Sequence, residues 1–130
     1  MSIEAGMIER YGTVFNGRLW WDRTPAGMSA AQRVEPFAIM QIVGGTNRRY
    51  VDQSLGEWIN ARVQFFVWGR RSIAVGDAMR ALHAAILASN TPDWVAEPMG
   101  DPVGDGNETL DLVGLRADFS ITYRNPLYQG

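Results

Sequence analysis

The chain contains no cysteine, no lysine and a single histidine, and each shortage removes a class of explanation. Without cysteine there are no disulfides, no thiolate metal sites and no thiol nucleophiles, and redox usage says nothing about compartment. His83 lies beside the apolar stripe of a helix, with no serine or cysteine placed to form a nucleophile pair, so it reads as a structural or surface histidine. All twelve basic residues are arginine, a bias that either a GC-rich genome or selection for planar, fork-like donors produces. No apolar run approaches the ~18 residues that cross a bilayer. The start, "MSIEAGMIERYG", lacks the basic and apolar segments of a secretory signal. The expectation is a soluble protein with no membrane contact that stays where it is made.

What remains is the composition of a folded domain: 130 residues, 46% hydrophobic and 20% charged. This length buries roughly two thirds of the unfolded chain's surface, enough for one domain spanning residues 1–130. The net charge of −2 argues against a dedicated nucleic-acid binder, which carries a basic surplus.

Periodicity divides the chain into elements. Residues 2 to about 13 read as a short helix capped by Ser2, with Ile3, Met7, Tyr11 and Val14 on one side. Phe15 to Pro36 reads as an irregular connection holding a short extended piece at Arg18 to Trp21. "PFAIMQIVGG" (Pro36 to Gly45) predicts a strand closed by a Gly-Gly turn, apolar on both faces and therefore central or covered. "TNRRYVDQSLG" follows as a polar reversal and hairpin arm. Trp58 to Trp68 then separates under the period of two. Ile59, Ala61, Val63, Phe65 and Val67 form an apolar core row. Trp58, Asn60, Arg62, Gln64, Phe66 and Trp68 form a second row, polar in its middle and aromatic at its ends, suited to touching a partner.

Ser72 stands where a helix cap is wanted, and the helix is expected to run to about Ser89, burying Val75, Met79, Leu82 and Ile86. Asn90 to Asp111, rich in proline and glycine with six acids and no base, reads as a surface loop with a short extended piece at Trp94 to Ala96. Leu115, Ala117, Phe119, Ile121 and Tyr123 alternate with Arg116, Asp118, Ser120, Thr122 and Arg124, which predicts an antiparallel strand with its first set inward. The whole is an α+β domain: a small, mostly antiparallel β-sheet with two helices packed on one face.

No constellation carries catalysis. "DPVGDGNETLD" places its acids at the first, fifth, eighth and eleventh positions, not at the alternate positions of a calcium loop. Glycines 100, 104 and 106 follow no strand and lack a phosphate-binding lysine. Catalytic residues, metal and cofactors are all expected to be absent. Arg48, Arg49, Arg70 and Arg71 form two pairs at strand ends, which read as solvated turn charges or as contacts to the acids of residues 93–111 on another copy. Of the five tryptophans most are expected in the core, although Trp and Arg together are typical interface anchors. Protein–protein binding is the function these features favour.

The order and spacing of the elements resemble the phage tail completion family, the tail terminator proteins of long-tailed phages and prophages. The resemblance lies in the short N-terminal helix, "GRLWWD" (Gly17 to Asp22), "PFAIMQIVGG", "RVQFFVW" (Arg62 to Trp68), "GDAMRALHAAIL" (Gly76 to Leu87) and "DFSITYR" (Asp118 to Arg124). It implies a virion protein without enzymatic activity, found in the host cytoplasm during assembly and then at the tail end or neck. Such proteins form a ring, usually a hexamer, on the completed tail tube, stop its polymerisation, and offer a docking surface to the head-side connector or head-completion protein. By matching position, the loop Gly44 to Gln53 with Arg48 and Arg49, and the row Arg62, Gln64, Phe66 and Trp68, would meet neighbouring subunits or tube protein; Arg70 and Arg71 join them as candidates. Two other readings stay open: another neck or head–tail joining protein, and a small single-stranded nucleic-acid module stacking bases on Arg62, Phe66 and Trp68 without sequence-specific contacts.

Overall fold

The computed structural model of the chain describes residues 3–21, 36–49, 55–107 and 112–124. Helix α1 (Ile3–Tyr11) runs into a 3-10 turn over Gly12–Phe15. Asn16 and Gly17 then take φ of 51° and 84°, a region open to these residue types, and turn the chain into β1 (Leu19–Trp21). Strands β2 (Phe37–Arg49) and β3 (Leu55–Gly69) precede helix α2 (Ser72–Ala88), and β4 (Trp94–Pro98), β5 (Val103–Asn107) and β6 (Leu112–Arg124) complete the described chain. The six strands form one sheet in the order β1-β2-β3-β6-β4, with β5 also on β6. Only β1 and β2 pair in parallel. The fold is the α+β arrangement that the alternation predicts. No helix among the described residues is long and apolar enough to cross a membrane.

One face of the sheet carries the core. Ala38 and Met40 of β2, Ala61, Val63, Phe65 and Val67 of β3, and Ala117, Phe119 and Ile121 of β6 are buried with Ile3, Met7 and Tyr11 of α1 and Val75, Met79, Leu82 and Ile86 of α2. The Phe65 ring meets Tyr11 and Phe119 edge-on, with centroids 6.3 and 5.5 Å away. Each such side chain contributes roughly 1.5–3 kcal/mol by leaving water. Of the predicted core row, Ile59 is only half-buried.

A hydrogen-bonded chain joins three elements at one end of this core. Trp94 Nε1 donates to the Tyr11 hydroxyl at 3.0 Å, Tyr11 lies 2.8 Å from Ser89 Oγ, and Ser89 Oγ donates to the Ile86 carbonyl at 2.7 Å. Because Ser89 spends its proton on Ile86, Tyr11 is the donor to Ser89. The indole packs against Gly6 of α1, where an added Cβ would stand 3.0 Å from Cζ3, and Arg10 lies 4.0 Å over its ring. This close approach accounts for a glycine inside a helix, which otherwise weakens it.

Several boundaries differ from the sequence expectation. Gly44 and Gly45 do not turn the chain; they continue β2 opposite Arg62 and Ala61, just after a register shift at Val43. A bulge tolerates glycine, and pairing with β3 carries the strand on. Ser72 is the first helical residue, while extended Arg71 occupies the cap position without a side-chain bond. Residues 90–111 are not simply a loop: they supply β4 and β5, which pair in line along the free edge of β6. Between them residues 99–102 oppose two residues of β6, with Gly100 at φ 106°. Only Trp94 among the tryptophans is buried; Trp20, Trp21, Trp58 and Trp68 are half-buried. Ser2, residues 22–35 of the connection and residues 50–54 of the expected polar reversal lie outside the described residues.

Candidate interface

Strand alternation sends a second set of side chains to the sheet face opposite the helices. The register arranges them in rungs across β2, β3 and β6: Phe37, Trp68 and Gly114; Ile39, Phe66 and Arg116; Gln41, Gln64 and Asp118. Further along β3 and β6 come Arg62 with Ser120, Asn60 with Thr122, and Trp58 with Arg124. One end of the face is therefore aromatic and the middle is polar.

The aromatic end is built on a missing side chain. An added Cβ at Gly114 would stand 2.7 to 3.1 Å from three atoms of the Trp68 ring, so the indole lies over β6 only because position 114 is glycine. Phe37, buried yet outside the main core cluster, meets Trp20 of β1 at 6.0 Å between centroids. Ile39, Phe66 and Trp68 are half-buried.

The polar middle is a bonded network. Arg62 Nη2 donates to Asp118 Oδ2 at 2.6 Å, and Gln64 Nε2 donates to Asp118 Oδ1 at 2.9 Å. Asn60 Nδ2 donates to Ser120 Oγ at 2.8 Å and to Thr122 Oγ1 at 3.0 Å. Burial alone would raise the Asp118 pKa; hydrogen bonds from Arg62 and Gln64 and the charges of Arg62 and Arg116 more than offset this, holding it below its ordinary 3.8. Asp118 is thus a fixed anion between two cations. At the far end Arg124 donates from Nε to Asp93 Oδ1 at 2.8 Å and stands 4.9 Å over the Trp58 ring.

The predicted site residues fall in three places. Arg62, Gln64, Phe66 and Trp68 share this face, but Arg62 is engaged by Asp118 and is not a free cation. Arg48 and Arg49 end β2, Arg48 at a second register irregularity and Arg49 opposite Leu55; their side chains lie outside the described residues. There β2 and β3 form an arm beyond the last β6 pair, Trp58 with Arg124. Arg70 and Arg71 are exposed and sit apart, between β3 and α2. Sequence reasoning missed Asp118, Trp20, Phe37 and Ile39. The two-faced apolar character of Phe37 to Met40 was their signal, but which residues stand side by side follows only from register.

One edge of the sheet is guarded. Beside β6, the acids Glu97 and Asp101, the prolines Pro98 and Pro102 and the interruption at Gly100 blunt the β4–β5 edge against strand addition. Among the described residues, no group of three His, Asp or Glu could hold a metal ion. His83 packs edge-on against Phe119 with centroids 5.0 Å apart, and its Nε2 is buried without a hydrogen-bond partner. Burial lowers its pKa from 6.5, with the Asp101 charge opposing. No protein-family model matches the sequence, and a search of curated proteins finds no match.

Proposed function

We propose that this chain is a structural subunit of a phage tail, a tail terminator that assembles as a ring on the end of the tail tube, stops its growth and presents a surface to the head-side connector. The observation that carries this reading is the rung-ordered sheet face opposite the helices. Phe66 and Trp68 stand there at one end and the Arg62–Asp118–Gln64 network in the middle, beside an arm formed by β2 and β3. Half-buried aromatics rimmed by charge-assisted hydrogen bonds are the composition of protein–protein contact surfaces. The resemblance noted above assigns ring and tube contacts to this sheet and this hairpin.

A base-stacking platform finds less support on the same face. The Arg62 charge is held by Asp118, which takes from this face the cation that a phosphate backbone would engage.

The test is to add the purified protein to tail tube protein under polymerising conditions and measure tube lengths by electron microscopy. A terminator gives shorter tubes with a ring at one end. Unchanged lengths with no end-bound ring contradict the reading, and rings that bind only connector indicate a different neck position.

A further inference from the structure

Two exposed surfaces of the chain are complementary to each other and do not meet within one molecule. The first is a hollow of about 600 Å³ lined by Arg70, Arg71, Ser72, Ile73, Ala74 and Asp77. Ile73 is 78% exposed, the most exposed large apolar side chain among the described residues. Asp77 is paired with Arg80, whereas Arg70 and Arg71 have no ion-pair partner among the described residues. The hollow therefore combines the apolar side chains of Ile73 and Ala74 with two arginines, while its acid, Asp77, is held by Arg80.

The second surface is the β4–β5 edge. Val95, Met99 and Val103 are 42, 46 and 52% exposed, and Glu97 and Asp101 stand between them, exposed and without an ion-pair partner among the described residues. It is apolar with negative charges interleaved. Gly69 pairs with Val113, while Glu97 pairs with Ser120. Seven positions along β6 separate these pairs, about 23 Å at about 3.3 Å per residue.

We propose that the occupant of the Arg70–Arg71–Ile73 hollow is the β4–β5 edge of a second copy of this chain, with Met99 against Ile73 and Glu97 and Asp101 against the two arginines. Matched charge and matched apolar groups select this partner over others. Because the two surfaces are different patches about 23 Å apart, each copy can offer one to each of two neighbours, a head-to-tail contact that builds a ring where the rotation between copies closes. The inference rests on the ring reading given above and names the contact that would build the ring. By register Val95 and Glu97 stand beside Thr122 and Ser120, and Val103 beside Arg116, so this contact takes the β4–β5 margin of the outer sheet face and leaves the rest of that face to the tube or connector.

Charge reversal tests it. The variant Arg70→Glu/Arg71→Glu and the variant Glu97→Arg/Asp101→Arg are each expected to shift the ring to monomer mass in light scattering, with unchanged circular dichroism. The chain carrying all four reversals regains the ring, because the exchanged charges again match. A wild-type ring that survives either double reversal, or a fourfold variant that stays monomeric, overturns this contact while leaving the ring reading intact. A wild-type chain that remains monomeric at every concentration and with tube protein present overturns both.

Discussion

The Trp68 ring occupies the space above Gly114, with Cε3 2.7 Å from where a Cβ would be. Substituting Gly114→Ala therefore forces the indole off β6. Overpacking of this kind costs about 1–3 kcal/mol, to be read from denaturant unfolding with a change in tryptophan emission. In a Trp68→Leu background the same substitution is expected to cost much less, and that coupling between the two sites separates displacement of the ring from a general effect on the strand.

Asp118 holds the middle of the outer face, accepting from Arg62 and Gln64. Its pKa is lowered in the folded state, so the stability it contributes is present above its unfolded value of 3.8 and is lost as pH falls through the lower folded value. Asp118→Asn removes this acid-dependent term and costs about 1–2 kcal/mol at pH 7, discounted for the half-exposed Arg62. Urea unfolding from pH 7 to pH 2 checks both statements: the variant's curve is flatter at the acid end.

His83 works in the same direction over a higher pH range. Burial lowers its pKa below 6.5, partly offset by Asp101, so the unfolded chain takes up the proton first. Stability is full above pH 6.5 and falls as pH drops below it toward the folded value. His83→Leu keeps the contact with Phe119 and removes a buried nitrogen without a partner. The variant is expected to lose the decline between pH 7 and pH 5 in thermal unfolding, and an unchanged decline contradicts the assignment to His83.

Removing the Tyr11 hydroxyl strands Trp94, while Ser89 keeps its bond to the Ile86 carbonyl. Tyr11→Phe leaves Trp94 Nε1 buried without an acceptor, at a cost of about 1–3 kcal/mol. Ser89→Ala leaves the Trp94–Tyr11 bond in place and costs less. Amide exchange in α1 should rise in the first variant more than in the second.

How far the sequence discloses this molecule depends on whether a signal is local. The stripe Val75, Met79, Leu82 and Ile86 and the alternation from Leu115 to Tyr123 are periodic over many residues, and both elements stand where periodicity puts them. The extended piece expected at Trp94 to Ala96 lies within β4, but β5 and the pairing of both short strands, broken by Pro98, Gly100 and Pro102, depend on the edge that β6 offers, which nothing local announces. Gly44 and Gly45 carry a strong turn signal that pairing with β3 overrides. On the candidate face, the row Arg62, Gln64, Phe66 and Trp68 is legible from period two alone. Asp118 as the partner of Arg62 and Gln64, and Gly114 as the seat of Trp68, come from strands about 50 residues apart, a relationship that only register supplies.

The central claim is that this chain assembles with itself into a ring. The most direct measurement is its mass in solution by light scattering behind a sizing column, over a range of concentrations, alone and with tail tube protein. The account predicts a discrete species of six copies of the 14.5 kDa chain, formed alone or on addition of tube protein. A single-chain mass under every condition would contradict it.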